Sequence, residues 1–292
     1  MKALIQVLQS SLATDKKVKL FFWWLLSADA RHYVAQVKTQ FDDVGLSEVL
    51  VLHPFVFYMF RAHAFLLKGQ SASADIAQAL FAHYVSLVSR MGHEAVPSLF
   101  SQGLSLYEQM FDDLSVALVL QYDHRMRFEG QLSLKLLLNG DEAYFINFVL
   151  DGDTVKVAGV QGVKDHKDLY KIFTKQLHGL RPQNFIWMAF LDWCKAVGVT
   201  QVLGVRPEWH VYQNETKSQG KVGFDYETFW QEVGGEGFDE VWYVLPIDYP
   251  HKPIEEVEQK KRSLYRKRYA LLDEVNLGML AMLSLVSAAR AD

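Results

Sequence analysis

The chain has 292 residues, half of them hydrophobic and 22% charged, with a formal net charge of −4. That composition excludes a disordered or fibrous chain and allows one large or two small domains around a substantial core. The acidic balance argues against wrapping of nucleic acid, and the lone Cys194, which has no intramolecular disulfide partner, reads as a buried, inert thiol.

In chain order, the first apolar pattern runs from Val18 to Tyr33. Lys16, Lys17 and Lys19 precede its run Leu20-Phe21-Phe22-Trp23-Trp24-Leu25-Leu26, and Ser27-Ala28-Asp29-Ala30 faintly resembles a cleavage site. The run is too short, aromatic and late for a secretory signal, so the pattern predicts a core helix. Further helices are predicted over His53 to Leu67, Ala74 to Ser89 and Leu99 to Phe111, with breaks at Gly45, Gly69 and Gly92. His53, His63 and His83 fall in these runs as core or surface histidines. Residues 1–112 are thus a predicted helical N-terminal region.

From Leu114 the period changes to that of strands. Leu114 to Tyr122, Leu132 to Leu138, Ala143 to Leu150 and Thr154 to Val160 form a predicted antiparallel meander, joined at Asn139-Gly140 and Asp151-Gly152 by turns that favour positive φ. Helices are predicted over Lys167 to Leu177, Asn184 to Val197 and Asp225 to Val233, and strands over Thr200 to Val205 and Val241 to Leu245. The apolar stretch Leu277 to Ala289 is too short to cross a bilayer core of about 30 Å and reads as a docked terminal helix, so no membrane span is expected. The predicted fold class is α+β, with the helical half packed on a mixed, mostly antiparallel sheet over residues 113–292.

Missing motifs narrow the chemistry. There is no P-loop, no G-x-G-x-x-G after a strand, no G-x-S-x-G and no H-E-x-x-H, and the scattered histidines do not suggest a metal site. The densest signal is Lys260-Lys261-Arg262-Ser263-Leu264-Tyr265-Arg266-Lys267-Arg268-Tyr269. At 100° per residue Lys261 and Arg268 share a stripe with Val257, Leu264, Leu271 and Val275, which predicts two inward cations, paired with buried carboxylates or lining an anion pocket. Gln161 and Gly162 at the end of a strand, Arg181 at a helix start and Trp230 are further ligand-binding candidates. His210 and Glu232 are the candidate proton-transfer groups, with Asp225 and Glu227 beside Glu232. A structural role, with these carboxylates neutralising Lys261 and Arg268, stays open.

Several separated motifs carry a resemblance. Gly159-Val160-Gln161-Gly162, His178-Gly179-Leu180-Arg181-Pro182, Tyr226-Glu227-Thr228-Phe229-Trp230-Gln231-Glu232-Val233-Gly234-Gly235, Leu245-Pro246 and the block from Lys260 to Asp273 resemble, in this order, the VirK/YbjX family of Gram-negative bacteria. Tyr226-Glu227 stands where a Tyr-Asp pair is expected. The resemblance implies an envelope-associated role linked to virulence and to resistance against cationic antimicrobial peptides. It implies no reaction. The expected partner is an anionic small molecule or a lipid-like envelope component, and the expected location is cytoplasmic or peripheral at the inner membrane.

A second resemblance concerns layout. The meander, the helix start at Arg181, the strand Thr200 to Val205 and the following Tyr226-Glu227-Thr228-Phe229-Trp230 are similar to the GNAT acyltransferases, which implies acyl-coenzyme A or another acyl donor and an acyl- or aminoacyl-transferase as the alternative function. The stretch Arg181-Pro182-Gln183-Asn184-Phe185-Ile186 lacks the glycines of that family's pyrophosphate loop, and Pro182 has no amide to donate.

Overall fold

The computed structural model describes residues 14–62, 64–213, 224–249 and 251–288; His63 lies outside them. Among the described residues five helices come first: α1 (Thr14–Leu26), α2 (Ala28–Asp43), α3 (Ser47–Leu52), α4 (Ser73–Met91) and α5 (Ala95–Phe100), with a 3-10 helix at Pro54–Arg61. A sheet follows with β1 (Leu104–Phe111), β2 (Leu114–Gln121), β3 (Leu132–Leu138), β4 (Asp141–Asp151) and β5 (Thr154–Gly162). Then come α6 (Lys167–Gln176), α7 (Pro182–Ala196), β6 (Gln201–Val205), α8 (Tyr226–Glu232), β7 (Glu236–Gly237), β8 (Trp242–Leu245) and the terminal α9 (Arg262–Ala288). The fold is α+β, as the periodicity predicts.

The eight strands form one sheet in the order β1-β2-β3-β4-β5-β6-β8-β7. Every pairing is antiparallel except that of β5 with β6, which α6 and α7 connect as a crossover. Asn139 (φ 54°) and Gly140 (φ 85°) build the β3–β4 turn with consecutive positive φ angles, as the Asn-Gly pair requires. β3 and β4 are buried along most of their length. Against them α7 packs a continuous aromatic face: Phe148 of β4 lies 5.0 Å from the Phe190 ring and 5.1 Å from Trp193. Removing such a buried aromatic ring costs about 3–5 kcal/mol, so this contact sets the position of α7 and of the turn before it.

Three local expectations are corrected. The run Leu99 to Phe111 is not a helix; α5 stops at Phe100, Gly103 (φ 84°) reverses the chain, and β1 begins at Leu104. A bulge between Ser105 and Tyr107 makes the adjacent Leu106 and Tyr107 both buried, which hides the strand period in the sequence. The expected core helix from Val18 is two helices, split at Ser27, whose Oγ accepts the Ala30 N–H at 3.2 Å as the cap of α2. Among the described side chains of α1 only Leu20 is fully buried, and Val18, Phe21, Phe22, Leu25 and Leu26 face outward.

His53 and His83 belong to the helical layer. The Nδ1 of His83 accepts the Leu150 N–H at 3.0 Å and ties α4 to β4, while His53 lies 4.1 Å from the Tyr122 ring and stacks on Phe100. Burial lowers both pKa values to about 3, so both rings are neutral.

Candidate functional site

β5 holds the geometry together. Its pairing with β6 ends at Val157 opposite Gly204, and in its pairing with β4 the register jumps from Asn147–Gly159 to Phe148–Val157, leaving Ala158 as an unpaired bulge residue. The His210 ring lies beside this bulge, where the Ala158 backbone favours its protonated form. Nδ1 of His210 lies 3.4 Å from the Tyr212 N–H, which leaves the proton of the neutral ring on Nε2. Burial lowers the His210 pKa to about 4, against the opposing pull of the Ala158 backbone.

Nε2 faces two other titratable groups. The Tyr226 hydroxyl is 3.4 Å away and Oε1 of Glu129 is 3.9 Å away. Glu129 is 1% exposed; its Oε2 accepts the Asn147 amide at 3.0 Å, and Asn147 Oδ1 in turn accepts from Ser133. Burial raises the Glu129 pKa to about 7, although the Asn147 hydrogen bond favours the ionised form. The Tyr226 hydroxyl accepts the Val160 N–H at 3.1 Å and reaches the Gln161 side chain; burial, and then the Glu129 carboxylate, raise its pKa far above the ordinary tyrosine value. Gly159 makes this arrangement fit, since a Cβ there would lie 2.3 Å from Glu129 Oε2.

Gln161 connects the buried cluster to a groove. Two adjoining concavities of about 590 and 460 Å³ share Tyr144 and Tyr170 as a common wall. The larger runs along α6 to Arg181 and Gln183, and the smaller follows Gln161 and Gly162 to Lys164, His166 and Phe224. The two tyrosine rings lie 5.6 Å apart, and Tyr170 Oη is 2.7 Å from the Ala143 carbonyl and 2.9 Å from that of Val163. Gly162 is again required by a close approach, because a Cβ there would lie 2.5 Å from the Tyr144 ring. The rim carries Lys164, Lys167, Lys171, Lys175 and Arg181 against Asp165. Of the five cations only Lys171 pairs with a carboxylate among the described residues, at 2.8 Å from Asp168.

The structure thus brings Gln161, Gly162 and Arg181 to one groove, with His210 behind it. The other named residues lie elsewhere. Trp230 is fully buried, donates its indole N–H to the Val205 carbonyl at 2.9 Å and packs on Gly204 as part of the core. Glu232 is exposed in the last position of α8. Lys261 is exposed and lies 3.3 Å from Glu258. Its predicted inward position is corrected because α9 starts only at Arg262, and Lys261 sits in a preceding 3-10 turn off the extrapolated stripe. Arg268 is half-buried but meets neither a carboxylate nor the groove. Its Nε and Nη2 donate to the His178 carbonyl at 3.2 and 2.9 Å, and its guanidinium lies 4.5 Å from the Tyr265 ring centre. It braces the left-handed turn His178-Gly179 (φ 54° and 77°) that precedes Arg181.

Glu129 is the residue that sequence reasoning misses. It stands in no motif, and its role emerges only where Asn147, Gly159 and His210 meet it across three elements. The one available signal is Gly159 inside a strand, which marks a close approach.

Comparison with known proteins places the chain. An uncharacterized protein of Haemophilus influenzae is 32% identical over 197 residues, which is 64% of this chain and 64% of that protein. The uncharacterized protein YbjX of Escherichia coli is 34% identical over 134 residues, covering 44% of this chain and 40% of YbjX. A second Haemophilus influenzae protein is 28% identical over 236 residues, 76% of this chain and 78% of its own length. The chain therefore spans less than two thirds of the first two relatives. No solved structure matches it. The model of the family described as a protein of unknown function, DUF535, matches residues 10–281, nearly the whole chain, and the chain belongs to that family, in which the VirK/YbjX resemblance of its motifs has its counterpart.

Proposed function

We propose that the chain is an envelope-associated factor that binds an amphiphilic anion in the Tyr144–Tyr170 groove. The acidic group sits at Arg181 and Lys175, and the apolar part lies against the two tyrosine rings. One observation carries this reading: Lys164, Lys167, Lys175 and Arg181 ring the groove without a carboxylate partner among the described residues. The start of α7 adds to it, since the amides of Gln183 and Asn184 have no acceptor within their own helix. The VirK/YbjX resemblance supplies the setting, which is virulence and resistance to cationic antimicrobial peptides through a lipid-like envelope component. Calorimetric titration with dodecyl phosphate and with neutral dodecyl maltoside tests the reading. Dodecyl phosphate binding that weakens with salt and drops about tenfold in Arg181→Gln supports it; equal affinity for both amphiphiles contradicts it.

Acyl or aminoacyl transfer to an envelope component is the second reading. It starts from the GNAT resemblance of the sequence motifs and is favoured by the end of the β5–β6 pairing at Val157 opposite Gly204, beyond which β5 runs on to Gln161 and Gly162 at the groove. The Glu129–His210–Tyr226 cluster adds groups able to hold and pass a proton, linked to the groove through Gln161. An acyl donor with a phosphate fits Arg181 and the two free amides. It does not find a glycine cradle, because Arg181 to Ile186 has no glycine and Pro182 offers no N–H. Transfer of a labelled acyl group into extracted lipid, abolished in His210→Asn, supports this reading, and absence of transfer while dodecyl phosphate still binds contradicts it.

A further inference from the structure

The outward face of α1 is a second feature of the surface that asks for a partner. Val18, Phe21, Phe22, Leu25 and Leu26 are 48%, 37%, 52%, 52% and 79% exposed. At 100° per residue they form one arc of about 140°. Lys17 and Lys19 fall just beyond its two edges, so the apolar face is bordered by a cation on each side. Across the helix, Leu20 is buried, the Trp23 ring lies 5.7 Å from Tyr58, and Trp24 is half-buried. Arg31 donates to the Trp24 and Leu25 carbonyls at 3.1 and 2.9 Å and closes the end of α1 onto α2. The face is therefore presented on an anchored helix.

We infer that α1 is a docking element for an anionic lipid surface. It lies in the plane of the headgroups, with Phe21, Phe22, Leu25 and Leu26 in the acyl boundary and Lys17 and Lys19 at lipid phosphates. The 13 described residues of α1 make a helix of about 20 Å, shorter than a hydrocarbon core of about 30 Å. No described helix is long and apolar enough to cross a membrane. A second copy of the chain fits less well. A face about 20 Å by 10 Å is on the order of 200 Å², far below the roughly 800 Å² per partner of a stable interface. Pairing two such faces also sets lysine edges side by side. In sequence, Lys16, Lys17, Lys19 and Arg31 outnumber Asp15 and Asp29 around this helix, although the whole chain is acidic.

This inference stands apart from the groove, and its test separates the two. The full chain is sedimented with vesicles of phosphatidylglycerol and phosphatidylcholine and with vesicles of phosphatidylcholine alone. Binding to the anionic vesicles is expected, weaker by about tenfold on neutral vesicles and in Lys17→Gln/Lys19→Gln. Phe22→Ser/Leu26→Ser is expected to reduce it by at least about tenfold, with an unchanged melting temperature and unchanged dodecyl phosphate affinity. No sedimentation overturns the inference, as does sedimentation that the double serine variant leaves intact. A double serine variant that melts lower without any vesicle binding assigns the face to residues 1–13 of the same chain, and one that converts a dimer to a monomer assigns it to a second copy; either result overturns the lipid assignment.

Discussion

His83 in the helical half and His210 in the mixed half are equally buried and both neutral, yet they face different company. His83 takes one backbone N–H, from Leu150, and is surrounded by packing. His210 lies beside the β5 bulge and faces Glu129 and Tyr226, with the groove one residue away at Gln161. Burial alone therefore does not mark a functional histidine; a second titratable group and a route to a concavity do.

The largest expected effect bears on what these histidines share. Unfolded, each histidine titrates near its ordinary value of about 6.5. Folded, His53 and His83 titrate at about 3 and His210 at about 4. Below pH 6.5 the unfolded chain binds three protons that the folded chain refuses, so their contribution to stability is present above 6.5 and lost on acidification. Glu129 works in the opposite sense, because its pKa is raised, and the folded chain holds one proton that the unfolded chain releases above about 4.5. Three protons against one leaves a net uptake of two on unfolding, a loss of up to about 3 kcal/mol per pH unit between pH 6.5 and 4.5. Urea unfolding midpoints across that range check this, and a flat profile contradicts it.

Glu129→Gln isolates the cluster behind the groove. The raised pKa of about 7 means that stability falls as pH rises from about 4.5 to 7 and stays low above it, a penalty of about 3 kcal/mol at pH 8. Glutamine removes the charge and keeps an acceptor for Asn147. The variant is expected to gain that much at pH 8 and nothing at pH 4.5, as read by thermal melts at the two values. Equal shifts at both would show that Glu129 is not held protonated.

Substituting the packing histidine sharpens the contrast from the other side. His83→Leu leaves the buried Leu150 N–H without its acceptor and is expected to cost about 1–3 kcal/mol, with the affinity for dodecyl phosphate unchanged. A change in affinity with no loss of stability would erase the distinction between the two histidines. The smallest effect is expected from Arg268→Ala. Losing two donors to the His178 carbonyl costs about 1 kcal/mol and loosens the turn that sets Arg181, so affinity for dodecyl phosphate falls while Arg268 itself touches no ligand.

The sequence makes most of the second half legible because its signals are local. Asn139-Gly140 and Asp151-Gly152 fix two hairpins, alternating residues mark β3 to β5, and Pro182 marks the start of α7 within two residues. The first half is less legible where a bulge or a cap intervenes: Ser105–Tyr107 disguises β1 as a helical run, and Ser27 cuts one apolar pattern into two helices. The groove is partly visible in advance, since Gln161, Gly162 and Arg181 stand at element ends where ligands bind. Lys261 shows the limit of helical extrapolation, because a stripe drawn from the middle of α9 does not continue into the 3-10 turn before it. Glu129 and Tyr144 are invisible in sequence, as both depend on glycines of β5 that admit them across the sheet.

Amide hydrogen exchange with dodecyl phosphate is the most direct test of the central claim, that the cation-rimmed groove beside Tyr144 and Tyr170 holds an anion at the start of α7. The account predicts ligand-dependent protection of Gln183 and Asn184 and of the Gln161–Lys167 segment, lost in Arg181→Gln. Protection confined to other parts of the fold, or none at ligand concentrations that saturate binding, would contradict it.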